Sequence, residues 1–139
     1  MKRKPIDIDA LVAEAAPMRP NPQLAFTMPV RVDSETNGRE HYIAKWKRKK
    51  KQKDALFIAW LEAINAEEAK WAVKLPCVVR LIRVGPRRLD GDNLGESFKA
   101  IRDAIAWAID VDDGDERIKW EYEQVAVGKR VYAVRIEIY

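Results

Sequence analysis

Asp90 and Asp92 stand two residues apart near the start of segment 87–117, and Asp110, Asp112, Asp113, Asp115 and Glu116 put five carboxylates into seven positions at its far end. The spacing predicts a helix between the two groups, ending near Asp110. Acids at a helix C-terminus oppose the macrodipole, at a cost of about 0.3–1 kcal/mol per charge. A divalent cation would offset that crowding. Mg²⁺ suits the donor set, because it takes one or two carboxylates and fills its other positions with water and phosphate oxygens. Each feature also has a plainer reading. Asp92 can be a helix cap, Glu96, Lys99 and Asp103 a solvated helix face, and 110–116 a polar loop. The two acidic groups meet only if the helix between them packs back toward a sheet.

Other chemistries lack their residues. With one histidine, His41, and one cysteine, Cys77, the chain cannot build a thiolate cluster or an HExxH zinc site, and a histidine-based triad is very improbable. No P-loop pattern occurs, and 110–116 departs from the EF-hand template because Gly114 falls on the fifth ligand position. His41 reads as a surface or packing residue. Cys77, within the apolar run CVVRLI, reads as core, with no disulfide partner.

The elements that must position the acids follow from periodicity. Residues 75–84, apolar on both sides, read as a central strand. Asp92 is the expected N-cap of the following helix, which turns Leu94, Phe98, Ile101, Ile105 and Ala108 inward within about 80° of one another. Asp92, Glu96, Lys99 and Asp103 share the opposite face within roughly 60°. Ile118, Trp120 and Tyr122 alternate with polar residues as a half-buried strand, and 131–139 supplies a last strand with Tyr132, Val134, Ile136 and Ile138 on one side. A turn at 126–130 makes these two an expected hairpin.

Upstream, 24–32 reads as a strand that Pro29 places at an edge or at its end. After a turn at 34–38, residues 40–69 lack Gly and Pro and predict a long helix, broken at most once, with Ile43, Trp46, Phe57, Leu61 and Ile64 within about 60° as its apolar face. Residues 1–23 carry four prolines and at most a short helix near 8–16, so they read as an arm over the domain or a dimer contact. The expected architecture is a single α+β domain over 24–139, a mixed sheet of about four strands covered by two main helices.

Length and charge bound the rest. At 139 residues the chain has room for one core, and 26 Lys and Arg against 22 Asp and Glu leave a net charge of +4. Seven of those cations crowd into nine positions as KWKRKKKQK, from Lys45 through Lys47, Arg48, Lys49, Lys50 and Lys51 to Lys53. Such a run is either a solvated helix face or a contact for nucleic-acid phosphates, whose condensed counterions it would displace. Arg87 and Arg88 add charge just before the first acid pair. No stretch reaches the roughly 20 apolar residues of a membrane helix, and no apolar region follows the basic start, so a cytoplasmic protein is expected.

The run Asp90-Gly-Asp92-Asn93-Leu94, with Lys99 four residues before Asp103 and then Asp112-Asp113, resembles the RusA-type Holliday junction resolvases. The likeness is specific over 87–118 and looser elsewhere. It implies a small α/β homodimer, an Mg²⁺-dependent endodeoxyribonuclease of DNA recombination and repair that nicks four-way junctions symmetrically. Carried onto matching positions, the metal ligands are Asp90, Asp92 and Asp113, with Asp112 adjacent. Lys99 would support catalysis, and Lys45, Lys47, Arg48, Lys49, Lys50, Lys51, Arg87 and Arg88 would hold the DNA. The sequence departs from the family at one point. Glu96 stands where the usual lysine follows DNLx, and Lys99 lies three residues later. A less selective branched-DNA nuclease, a binding module without cleavage and, more weakly, a cation-binding protein are the other readings.

Overall fold

In a computed structural model the described residues are 5–33, 42–66 and 73–139. They form α1 (Ile8–Ala15), β1 (Leu24–Met28), α2 (Tyr42–Ala66), β2 (Cys77–Gly85), α3 (Gly91–Ser97), α4 (Lys99–Ile109), β3 (Ile118–Ala126) and β4 (Ala133–Ile138). The four strands make one mixed sheet in the order β1-β4-β2-β3. This is the expected α+β domain. The turn at 34–38, His41 and the helix ends at 40–41 and 67–69 lie outside the described residues.

The alternation of β2 buries both its sides, as a strand between two neighbours requires. It pairs with β3 in parallel, from Cys77 opposite Ile118 to Gly85 opposite Ala126, and with β4 antiparallel. A parallel neighbour requires a crossover, and α3 and α4 supply it. The expected hairpin between β3 and β4 does not form, because β2 lies between them. The crossover seats β3 on one side of β2, and β4 reaches the other side by passing the end of β2. Val127 donates to the carbonyl of Gly85 and Gly128 to that of Pro86 on the way. Gly128 turns there at φ 68°, a conformation open to glycine without strain.

One face of the sheet carries the main core. Val79, Leu81, Val134, Ile136 and Ile138 meet Leu94, Phe98, Ile101 and Ile105 from the crossover and Leu56, Trp60 and Ile64 from α2. The inward face expected for the crossover is therefore correct. That of α2 is not. Its buried stripe is Gln52, Leu56, Trp60 and Ile64, whereas Ile43, Trp46 and Leu61 are exposed. The helix bears two apolar stripes roughly a quarter turn apart. The stripe that packs is the one β1 and α4 can reach: Trp60 meets Phe26 edge-on at 6.0 Å.

The opposite face is roofed by the N-terminal arm. Asp7 caps α1 through the amide of Ala10, and Val12 and Ala16 cover Ile82, Val84, Val125 and Ala133. β1 is an edge strand, as Pro29 suggested, and ends at Met28 where a strand reaching residue 32 was expected. Cys77 is buried. Among the described residues no helix is long and apolar enough to cross a membrane.

Candidate acidic site and basic surface

β3 is the outer strand, and its residues Trp120, Tyr122 and Gln124 form a row that positions both acidic groups. Gln124 makes two hydrogen bonds to Leu89: its Oε1 accepts from the amide at 2.7 Å and its Nε2 donates to the carbonyl at 2.8 Å. That pair fixes the residue immediately before Asp90. Tyr122 carries α3, since a Cβ on Gly95 would stand 3.4 Å from its ring. Its ring also stacks on buried Phe98 at 5.8 Å, and its hydroxyl meets Arg102 Nη1 at 2.6 Å. Trp120 holds the second group by donating from Nε1 to the carbonyl of Asp113 at 3.1 Å.

The helix opening the site starts earlier than expected. Asp90, with φ −61° and ψ 148°, is the N-cap residue, and Asp92 sits in the first turn of α3. The cap works through the carbonyl of Asp90, which accepts from the amides of Asn93 and Leu94. The carboxylate makes no cap bond. The crossover is also two helices, not one. At Phe98 the backbone leaves helical geometry, and the hydroxyl of Ser97 closes the last turn of α3 on the carbonyl of Leu94 at 2.6 Å. The stripe is thereby divided: Asp92 and Glu96 lie on α3, Lys99 and Asp103 on α4.

At the far end the left-handed turn falls on Asp110, φ 66°. Aspartate tolerates that region better than most residues. Asp115 is consumed by the turn into β3, where Arg117 binds its two oxygens at 3.0 and 2.8 Å and the Arg117 amide adds a third bond at 2.9 Å. Those bonds hold its carboxyl down at about 2. Asp112 and Asp113 keep their carboxylates exposed and share a shallow hollow of about 240 Å³ with Asp103 and Trp107.

The carboxylates of Asp90, Asp92, Asp112 and Asp113 thus have no hydrogen-bond or ion-pair partner among the described residues. The fold sets the two pairs along one strand edge. It does not gather them, because among the described residues no three His, Cys, Asp or Glu side chains are grouped to hold a metal ion. Lys99 and Glu96 are both exposed.

The basic residues occupy the end of the sheet where β2 stops. Arg83, buried, donates to the carbonyl of Val32 at 2.7 Å and of Arg87 at 2.8 Å, and pairs with Asp33. Gly85 makes room for this, since a Cβ there would lie 2.8 Å from the guanidinium. One arginine thereby ties the chain leading to α2 to the exposed pair Arg87 and Arg88. In α2 no residue of 42–51 is buried. Lys45, Lys47, Lys50 and Lys51 are exposed there, and Arg48 and Lys49 half-buried. Lys50 lies 5.8 Å over the ring of Trp46.

Sequence reasoning missed Arg83, Arg102 and the row Trp120, Tyr122 and Gln124 as supports of this site. The row has a legible signal, three large side chains with polar ends at alternate strand positions; the partners of Arg83 and Arg102 are set by the tertiary fold. No protein-family model matches the chain, and no curated protein matches it either.

Proposed function

We propose that the chain is an Mg²⁺-dependent endodeoxyribonuclease that nicks four-way DNA junctions in symmetric pairs. The observation that carries this reading is the set of four exposed carboxylates that the fold leaves without partners, on an edge whose near end is basic. Hard carboxylate oxygens suit Mg²⁺, and Asp90, Asp92 and Asp113, with Asp112 beside them, would hold it. When bound, the metal supplies Lewis acidity and an acidified water for phosphodiester hydrolysis. Lys99, on the first turn of α4, offers a positive charge to the scissile phosphate. Lys45, Lys47, Arg48, Lys49, Lys50 and Lys51, with Arg87 and Arg88, hold the DNA backbone, so affinity falls steeply with salt. Junction DNA has approximate two-fold symmetry, which an isologous dimer matches.

Two observations favour a second reading, a junction-binding module without cleavage: Glu96 occupies the place of the expected lysine, and the aspartates are not gathered in the single chain. Incubation with a labelled synthetic four-way junction and a matched linear duplex, each with Mg²⁺ or EDTA, separates them. Paired nicks in the junction alone, abolished by EDTA, support the nuclease. Nicks in both substrates indicate a less selective enzyme, and tight binding without nicks selects the module. Lys99→Ala should slow cutting strongly, by roughly the 10²–10³-fold typical of a lost charge-stabilising group; unchanged cutting removes Lys99 from the reaction.

A further inference from the structure

We infer that Arg102, half-buried on α4, is a fixed grip for one backbone phosphate of the DNA, the phosphate to be cut. The inference rests on the nuclease reading and adds to it a cation other than Lys99. Arg19, Arg31, Arg80, Arg83, Arg117 and Arg135 each meet a carboxylate. Among the described residues Arg102 meets none, and its one hydrogen bond runs from Nη1 to the neutral hydroxyl of Tyr122 at 2.6 Å. Its Nε is buried without a partner, whereas Nη2 makes no hydrogen bond and is not buried. The guanidinium has thus given up water on one side and gained no counter-charge in exchange. Its other side is open to an anion.

The surroundings hold this charge in place without cancelling it. The guanidinium carbon lies 6.0 Å from the ring centres of both Trp120 and Tyr122, and aromatic faces attract a cation while leaving its charge intact. Tyr122 is the middle member of the row on β3. Trp120 on one side of it holds the carbonyl of Asp113, and Gln124 on the other holds Leu89, next to Asp90. Arg102 is therefore tied to the strand edge between the two acidic pairs. The charges there select the ligand. Flanking carboxylates disfavour a free anion, but a phosphodiester bound together with a divalent cation on those acids brings its own compensation. A guanidinium donates to phosphate oxygens in short, charge-assisted bonds. Lys99 is exposed on a flexible stem, whereas Arg102 is already ordered and needs no reorganisation as charge develops.

Single-turnover nicking of a four-way junction in Mg²⁺, run beside a junction-binding titration, tests it. Arg102→Gln should cut roughly 10²–10³-fold more slowly than wild type, the loss typical of one charge-stabilising donor, with binding weakened less than about tenfold. Tyr122→Phe loses the same hydrogen bond and keeps the charge, so it should cut within about tenfold of wild type. Cutting at the wild-type rate by Arg102→Gln overturns the inference and leaves the nuclease reading standing. Equal slowing in both variants assigns the effect to the fold and also overturns it. A wild type that binds junctions without cutting them refutes the nuclease reading instead, and the grip is then judged by nuclear magnetic resonance. The Nε–H signal of Arg102, identified by its absence from Arg102→Gln, should shift when junction DNA is added in Ca²⁺. An unmoved signal overturns the inference.

Discussion

The two faces of the sheet use their charges in opposite ways. Beneath α1, Glu137 is fully buried and engaged by Arg80 at 3.0 Å, Arg135 at 3.0 Å and the hydroxyl of Tyr139 at 2.6 Å. Arg80 also binds Glu123 at 2.7 Å, and Arg19 reaches Glu121 at 2.6 Å. Glu121, Glu123 and Glu137 on that face each have a cation, and for buried Glu137 burial demands it. The crossover side has an apolar core, and its acids Asp90, Asp92, Asp112 and Asp113 stand outside it without partners. The difference separates charges that build the fold from charges that the fold leaves without partners. Asp115 shows the distinction within one loop, since Arg117 has claimed it and its neighbours Asp112 and Asp113 are left over.

The comparison is sharpest where a buried acid is removed. Glu137→Gln should destabilise the domain by up to about 3–5 kcal/mol, because buried Arg80 and half-buried Arg135 would lose the counter-charge they share and keep only the more exposed Glu123 and Asp9. In the same urea titration Asp92→Asn should change stability by less than about 0.5 kcal/mol. A similar loss in both variants would erase the division between the two faces. A smaller effect is expected at the row that supports the site. Tyr122→Phe keeps the stack on Phe98 and removes the hydroxyl bonded to Arg102, costing about 1.5–3 kcal/mol. Leu89 should keep its amide exchange protection, because Gln124 holds that amide independently.

The smallest effect is in pH. The carboxyl of Asp115 lies at about 2 in the folded chain against an ordinary 3.8. Its contribution is therefore complete above about pH 4 and lost as pH falls through that interval toward 2. Asp115→Asn should flatten the acid limb of the stability profile there, and an unchanged limb would show that the Arg117 pair contributes nothing.

The strands and the inward face of the crossover were legible because each follows from a local period. Val79 and Leu81 alternate, and Leu94, Phe98, Ile101 and Ile105 recur at helical spacing, whatever they pack against. What the sequence left open depends on partners far along the chain. Ile43, Trp46 and Leu61 make as good an apolar stripe as Leu56, Trp60 and Ile64, and only the position of β1 and α4 decides between them. β3 and β4 alternate like a hairpin, yet the parallel crossover excludes it. At the site, the residue types and spacing announced the acids. The start of α3 at Gly91, the break at Phe98 and the capture of Asp115 by Arg117 did not show, because backbone geometry and a side-chain pairing decide them.

The central claim is that the acids without partners exist to hold a metal for cleavage. Asp92→Asn tests it most directly, in a junction-nicking assay with Mg²⁺ run beside a junction-binding titration. Loss of nicking with binding retained is the predicted result. Nicking at the wild-type rate by Asp92→Asn would contradict the account.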